Sequence, residues 1–230
     1  FETLTATTAV RPQGSADYER YIGTWTVTTT SSEVTGQPQT YTIRIEPYRN
    51  DKSYKVYDWG VTTLGSKEED FPFILSYNEA DGSVGINSYE DLGMYGFTYY
   101  IYLRYRFLNE QSQPSIWVSE DTLVSGAYDA ASNEITITCG TFNDNSGITQ
   151  KITGLDYVLY TGGKYYEAQN LIRPGYLIGE GDNAKVDYGV GPYKLTKAPA
   201  AAAVPAKRPA KKFESLRPAS ETKQAAAVPL

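Results

Sequence analysis

Apolar and polar residues alternate with a period of two along much of residues 18 to 196, as they do in β-strands that bury one face. The clearest short segments span residues 24–29, 41–46 and 135–139, and the longest spans 97–107. At about 3.3 Å per residue that longest segment would extend for about 36 Å, the length of a barrel wall. Turn-forming residues separate such segments at 80–83, 131–133 and 161–164, and no segment shows a long helical period. The sequence therefore predicts an all-β, antiparallel fold.

The alternation does not determine how the sheet closes, because many short antiparallel strands can form an up-and-down barrel or a β-sandwich. Residues 17–22 could make one helical turn, after which Gly23 and Trp25 begin the first strand. This Gly-x-Trp arrangement resembles the start of lipocalin-like (calycin) barrels, in which the Trp plugs the closed end. In that family a basic residue of the last strand packs over the Trp. The resemblance implies an up-and-down barrel closed by Gly23, Trp25 and Lys194.

Residues 21–27, 41–45 and 126–129 are similar to the lipocalin-like domains of surface lipoproteins from gut Bacteroidetes. The resemblance covers residues 18 to 196 and implies export to an extracellular or outer-membrane surface location. Barrels of that family often follow immunoglobulin-like or fibronectin-type modules, and residues 1–6 are similar to the last strand of such a module. The Ala/Pro-rich C-terminal segment departs from the family's usual ending at the last strand.

Composition divides the chain into an extended segment and linker (1–17), a folded domain (18–196) and a low-complexity tail (197–230). The tail carries seven Lys and Arg against two Glu, whereas the other 196 residues carry a net charge of −11. An acidic domain repels phosphate backbones, so nucleic acid is not an expected partner. No segment approaches the roughly 18 consecutive apolar residues of a transmembrane helix, and residues 1–17 do not resemble a signal peptide.

The residue types that are missing exclude many catalytic sites. The 230 residues include no His and a single Cys, Cys139. This excludes Ser-His-Asp and Cys-His hydrolases, His-dependent zinc and iron sites, CxxC redox pairs and an internal disulfide. Cys139 shares the predicted apolar face of Ile135 and Ile137, so we interpret it as a buried hydrophobe. We expect no cofactor.

Two further kinds of site are considered and set aside. Acidic clusters occur at residues 68–70, 90–91 and 120–121, but adjacent acids on a strand point to opposite faces, whereas a glycosidase needs two carboxyls across a cleft. Calcium ligands are conceivable at Asp144 and Asn145, and at Asp182, Asn183 and Asp187, but neither set matches a calcium-loop motif. Turn-forming roles are the simpler interpretation, and we expect no metal.

The candidate ligand-binding residues lie on one face of the longest segment: Tyr100, Tyr102, Arg104 and Arg106. Tyr rings can stack on a sugar or an acyl chain, while Arg can fix an anionic group. The opposite face, with Phe97, Ile101, Leu103 and Phe107, is apolar enough to predict core. An ordinary cross-strand ladder of aromatic and charged residues would show the same pattern.

Three functions are compatible with these features. The first is a non-catalytic binding module for a small apolar or glycan ligand. The second is a structural or adhesive surface domain with a filled barrel, whose partner is another surface protein. The third is a His-free carboxylate glycan hydrolase. The state of the barrel interior, open or filled, discriminates between the first two.

Overall fold

The computed structural model describes residues 13–60, 71–95, 98–167, 175–178 and 185–198. These residues form one short helix and fifteen strands: α1 (Ala16–Glu19), β1 (Gly23–Ser32), β2 (Thr40–Arg49), β3 (Ser53–Tyr57), β4 (Phe73–Tyr77), β5 (Ser83–Ile86), β6 (Asp91–Tyr95), β7 (Tyr99–Leu108), β8 (Pro114–Trp117), β9 (Val124–Asp129), β10 (Glu134–Cys139), β11 (Thr141–Asn143), β12 (Thr149–Thr161), β13 (Lys164–Glu167), β14 (Gly175–Ile178) and β15 (Lys185–Lys197). The tail from residue 199 and residues 1–12 lie outside the described ranges.

Eight strands close into an antiparallel barrel in the order β1, β2, β3, β4, β5, β9, β10 and β15. Strand β15 pairs with both β10 and β1, so this ring has no free edge. Each barrel strand runs antiparallel to its two neighbours, and the ring follows chain order. The prediction of an all-β antiparallel barrel is confirmed, and the alternative of a β-sandwich is wrong.

The remaining strands belong to two insertions in the barrel order. Strands β6–β8 lie between β5 and β9 in the chain, and β11–β14 lie between β10 and β15. The two insertions meet where β7 pairs with β12, which builds a second sheet of six strands: β11, β12, β7 and β6 in order, with β13 on β12 and β8 on β7. The expectation that the longest alternating segment forms a barrel wall is therefore wrong. It forms β7, and its partners are other insertion strands.

One end of the barrel is sealed by α1 and the start of β1. Trp25 is fully buried, and its indole Nε1 donates a hydrogen bond of 2.7 Å to the Tyr21 carbonyl. Tyr18 and Tyr54 stack with their ring centroids 4.3 Å apart, and their hydroxyls donate to the backbone carbonyls of Ser53 and Tyr18 respectively. Gly23 begins β1 with a φ of +130°, a conformation that side chains with a Cβ rarely adopt.

The basic residue that covers Trp25 is Lys197, not Lys194, which corrects the sequence-based expectation. The Lys197 Nζ lies 4.1 Å from the centroid of the Trp25 ring. Lys194 instead pairs in register with Thr28 and forms a surface ion pair with Glu134. Side chains alternate between the two sheet faces, and Lys194 and Lys197 are three positions apart on β15, so they point to opposite faces.

The second sheet lies against the other end of the barrel. On β7 the Tyr105 hydroxyl donates to the carbonyls of Ile86 and Asp121, and it accepts from the Leu123 amide. These partners sit where β5 ends and where the chain enters β9. On β12, Gly154 allows close approach, because a Cβ there would meet the hydroxyl of Tyr193 from β15. The barrel and the second sheet consequently share one hydrophobic core.

Side chains fill the interior of the barrel. Apolar residues that face each other across neighbouring strands, such as Trp25 with Ile43 and Ile137 with Tyr193, form the inner layers. Fifteen apolar residues of the barrel strands are at most 2% exposed: Trp25, Val27, Ile43, Ile45, Tyr54, Val56, Phe73, Leu75, Val84, Ile86, Val124, Ile135, Ile137, Tyr193 and Leu195. The barrel therefore acts as a packed core, and the surface of the protein is where a ligand would meet it.

Candidate functional site

The two faces of β7 have opposite environments. Ile101, Leu103, Tyr105 and Phe107 are almost completely buried, as the apolar pattern predicts, while Phe97 lies outside the described residues. The other face carries the four predicted ligand-binding residues, and their exposure falls steeply along the strand. Tyr100 is 41% exposed, whereas Arg104 and Arg106 are 5% and 4% exposed. Only the first part of this face is open to solvent.

Four tyrosines form a contiguous surface at the open part of the second sheet, which we call the tyrosine platform: Tyr100, Tyr102, Tyr160 and Tyr165. The rings of Tyr100 and Tyr102 lie nearly parallel, with centroids 6.3 Å apart and an interplanar angle of 13°. Tyr102 also contacts Tyr160 at 5.9 Å and Tyr165 at 6.4 Å, so it occupies the centre. On the neighbouring strand β6, Met94 pairs with Tyr100 and is 47% exposed.

Strand pairing brings these four tyrosines together. Tyr160 on β12 is directly opposite Tyr100 on β7, and Tyr165 on β13 is directly opposite Tyr160. The β12–β13 hairpin turns through Gly162 and Gly163, which have φ values of +56° and +79°. A two-residue turn with both φ values positive suits the twist of a β-hairpin and favours Gly at both positions. Sequence reasoning identified this turn but did not select the tyrosines on either side of it.

Arg104 lies beneath the platform. Its guanidinium carbon is 4.3 Å from the centroid of the Tyr102 ring and 6.0 Å from that of Tyr165. Its Nη1 donates to the carbonyls of Ser88, Glu90 and Leu103. Its Nε is buried without a hydrogen-bond acceptor in the described part of the chain. Loss of water around the guanidinium lowers the pKa of Arg104, although a hydrogen bond with Tyr165 opposes that effect.

Arg106 is on the same face but belongs to the interior. Its Nε and Nη2 donate to both oxygens of Glu33, and its Nη1 donates to Asp156. Its guanidinium carbon lies 3.4 Å from the centroid of the Tyr188 ring on β15. These contacts join the second sheet to the turn that follows β1 and to β15. The guanidinium fork of Arg106 is therefore engaged within the protein, and only Arg104 adjoins the platform.

Two of the three acidic clusters, at residues 90–91 and 120–121, lie within the described ranges. Residues 68–70 lie outside those ranges. The Glu90 carboxylate accepts from the Ile74 amide, and burial raises its pKa, although this hydrogen bond opposes the shift. Glu120 and Asp121 are exposed. Cys139 lies against Gly191 of β15, and burial raises the pKa of its thiol to about 12.

The oxygen-rich loops make local hydrogen bonds. Asp144 caps its own turn by accepting from the amides of Ser146 and Ile148, an Asx turn as the sequence suggested. Asp187 is buried and accepts from Ser32, Val34 and Thr35, which fixes the connection from β1 to β2. Asp182 and Asn183 lie outside the described residues. Among the residues that the structure describes, no group of three Cys, Asp or Glu side chains could hold a metal ion.

Comparison of the chain with protein-family models, with curated proteins and with solved structures found no match in any of the three. Within the described ranges, no helix has the length and apolar character needed to cross a bilayer.

Proposed function

We propose that this protein is a non-catalytic glycan-binding module that uses the tyrosine platform on its second sheet. The observation that carries the proposal is the contiguous group of four partly exposed tyrosine rings centred on Tyr102. Tyr combines a flat apolar ring with a hydroxyl group, which suits sugars because they present both apolar faces and hydroxyl edges. Burial, and the nearby Asp91, raise the pKa of Tyr102, so its hydroxyl stays protonated and can donate at neutral pH.

The filled barrel favours a glycan over a small apolar ligand. An apolar molecule gains most from a concave, enclosed site, and the barrel interior is occupied by the protein's own side chains. A glycan can bind to an open aromatic surface, because it keeps part of its hydroxyl groups in water. The rigid support beneath the platform, a sheet packed on the barrel core, keeps the loss of conformational entropy on binding small.

The proposed location is the extracellular or outer-membrane surface. The resemblance of residues 21–27 and 41–45 to lipocalin-like domains of Bacteroidetes surface lipoproteins supports this location. Glycans are available to a protein at that surface.

A glycan array followed by affinity electrophoresis tests the proposal. We expect the unmutated protein to be retarded by at least one glycan, and Tyr102→Ala to abolish the retardation because it removes the central ring. Tyr48→Ala is the matched control: Tyr48 is 47% exposed, lies on the barrel strand β2 and contacts Arg49 and Lys55. Equal binding by Tyr102→Ala and the unmutated protein would refute the site. Release of reducing ends from a bound glycan would contradict the non-catalytic assignment.

The filled interior also favours a second function, that of a structural or adhesive surface domain. The two functions differ in their ligand: an adhesive domain would bind another surface protein and no glycan. A glycan array without binding, together with binding to an isolated surface protein, would support this second function over the first.

A further inference from the structure

Arg104 differs from the other buried arginine of β7 in lacking a carboxylate partner. Arg106 is paired with Glu33 and Asp156 at 2.8 and 2.9 Å. No carboxylate of the described residues lies within ion-pair distance of Arg104, although only 5% of the residue is exposed. Arg104 contacts three backbone carbonyls through Nη1, a hydrogen bond joins it to Tyr165, and the rings of Tyr102 and Tyr165 cover its guanidinium.

Neither Asp156 nor Asp91 forms an ion pair with Arg104. Asp156 faces Arg104 across the β7–β12 pair, but its Oδ2 accepts from Arg106. Asp91 acts on Arg104 only from a distance, and it is exposed to solvent at the edge of the platform. A buried cation is costly unless it is paired, and a buried donor without an acceptor requires an explanation such as an absent ion.

We propose that the platform selects glycans that carry a negative charge, and that a carboxylate or sulfate oxygen of the sugar is the missing partner of Arg104. This inference rests on the proposed function and names the class of its ligand. Tyr102 and Tyr165 cover the guanidinium, and both are only partly buried. A change of side-chain rotamer, which is common at binding surfaces, would let a sugar oxygen reach Nε while the ring stacks on the sugar face.

Calorimetric titration of the full chain with two matched pairs of short oligosaccharides tests this inference. The first pair is trigalacturonate and its neutral methyl ester, and the second is sulfated maltotriose and maltotriose. We expect at least one acidic member to bind about tenfold or more tightly than its neutral counterpart. This is the gain in affinity expected from one hydrogen bond to a charged group. The carboxylate pair and the sulfate pair distinguish the two possible sources of the charge. Short ligands limit the contribution of the basic tail to the measured affinity, and the tail is present in every variant.

Arg104→Gln should remove the preference for the acidic member, and Tyr48→Ala should retain it. If Arg104→Gln does not fold, the preference of the unmutated protein for the acidic members, together with the loss of all binding in Tyr102→Ala, tests the inference. Equal binding of the acidic and neutral members, lost in Tyr102→Ala, would overturn the charge selection and leave glycan binding intact. Binding of neutral array glycans with no binding of either acidic probe would overturn it as well. A complete absence of glycan binding would refute both proposals.

Discussion

Lys197 lies over the indole ring of Trp25, and its ammonium group donates a 2.6 Å hydrogen bond to the Ile22 carbonyl. The two residues face each other across the β1–β15 pair that closes the barrel. One lysine thus contacts the aromatic seal and ties the last barrel strand to the segment between α1 and β1.

Trp25→Ala should be the most damaging substitution in β1. The side chain is fully buried, and its removal leaves a large cavity and an unpaired Tyr21 carbonyl, so we expect the free energy of unfolding to fall by about 3–5 kcal/mol. Urea denaturation measures the change. A loss below about 1 kcal/mol would contradict the sealing role.

Lys197→Ala should destabilise the protein by about 0.5–1 kcal/mol, because it removes a cation–π contact and a hydrogen bond to backbone. Lys194→Ala is the matched control: its ion pair with Glu134 is a surface pair, for which we expect about 0.5 kcal/mol or less. Thermal melts of both variants provide the comparison. A larger effect at Lys194 would restore that residue as the cover of the barrel end.

The network of Arg106, Glu33 and Asp156 should be the most sensitive polar feature of the protein. Asp156→Asn removes one of the two charges that hold a buried guanidinium, and breaking a buried pair costs about 3–5 kcal/mol. The exposed pair Lys52–Glu79 is the control, since Glu79→Gln should cost about 0.5 kcal/mol or less. Equal urea midpoints for the two variants would show that the buried network contributes little to stability.

Asp187 should make the protein more stable above about pH 4 than below it. Burial raises the pKa of Asp187, but hydrogen bonds from Thr35, Val34 and Ser32 outweigh burial and hold it below its ordinary value. In the pH range near and below the ordinary pKa of about 3.9, the unfolded state therefore binds more protons at this site. The stabilisation is present above that pKa and is lost as the pH falls through the lower folded-state pKa.

Urea midpoints of the unmutated protein and Asp187→Asn at pH 7 and pH 3 check this dependence. The variant should be less stable at pH 7, and the difference between the two proteins should shrink at pH 3. A constant difference at both pH values would contradict the assignment of the pH dependence to Asp187.

Cys139 should resist thiol reagents while the protein is folded. Burial raises the pKa of its thiol to about 12, although Lys151 lowers it, so very little thiolate exists at pH 8. Labelling with a chromogenic disulfide reagent should be slow in buffer and rapid in concentrated urea. Equal rates in the two conditions would show that the β10 end is open to solvent.

The strands could be predicted from local alternation, but their partners could not. The segment that forms β7 has one uniformly apolar face, which indicates burial without indicating the sheet to which it belongs. Its pairing with β12 is long-range, and nothing in either segment alone specifies the other. The sequence does contain the information needed to choose Lys197 over Lys194 as the cover of Trp25. Lys197 shares the period-2 face of the apolar residues Tyr193 and Leu195, and both of these are buried.

The candidate site was only partly predictable, because it also depends on strand pairing that local alternation does not specify. Tyr100 and Tyr102 share a face as the alternation indicates, but Tyr160 and Tyr165 join them only through the pairing of β12 with β7 and β13. The burial of Arg106 depends on Glu33 and on Tyr188 of β15, which lie far away in the sequence. Alternation gives the face of a side chain, but long-range contacts decide whether that face meets water.

The β1–β15 pair has a consequence for the synthesis of the protein on the ribosome. The Lys197–Ile22 hydrogen bond joins residues 175 positions apart. Strand β1 can therefore pair with β15, its second neighbour, only after nearly the whole barrel has been synthesised. Until then β1 and β10 each present an unpaired edge, and nascent chains on neighbouring ribosomes can pair through such edges. The pairing of β15 with β1 and β10 is therefore the step that removes both of these barrel edges.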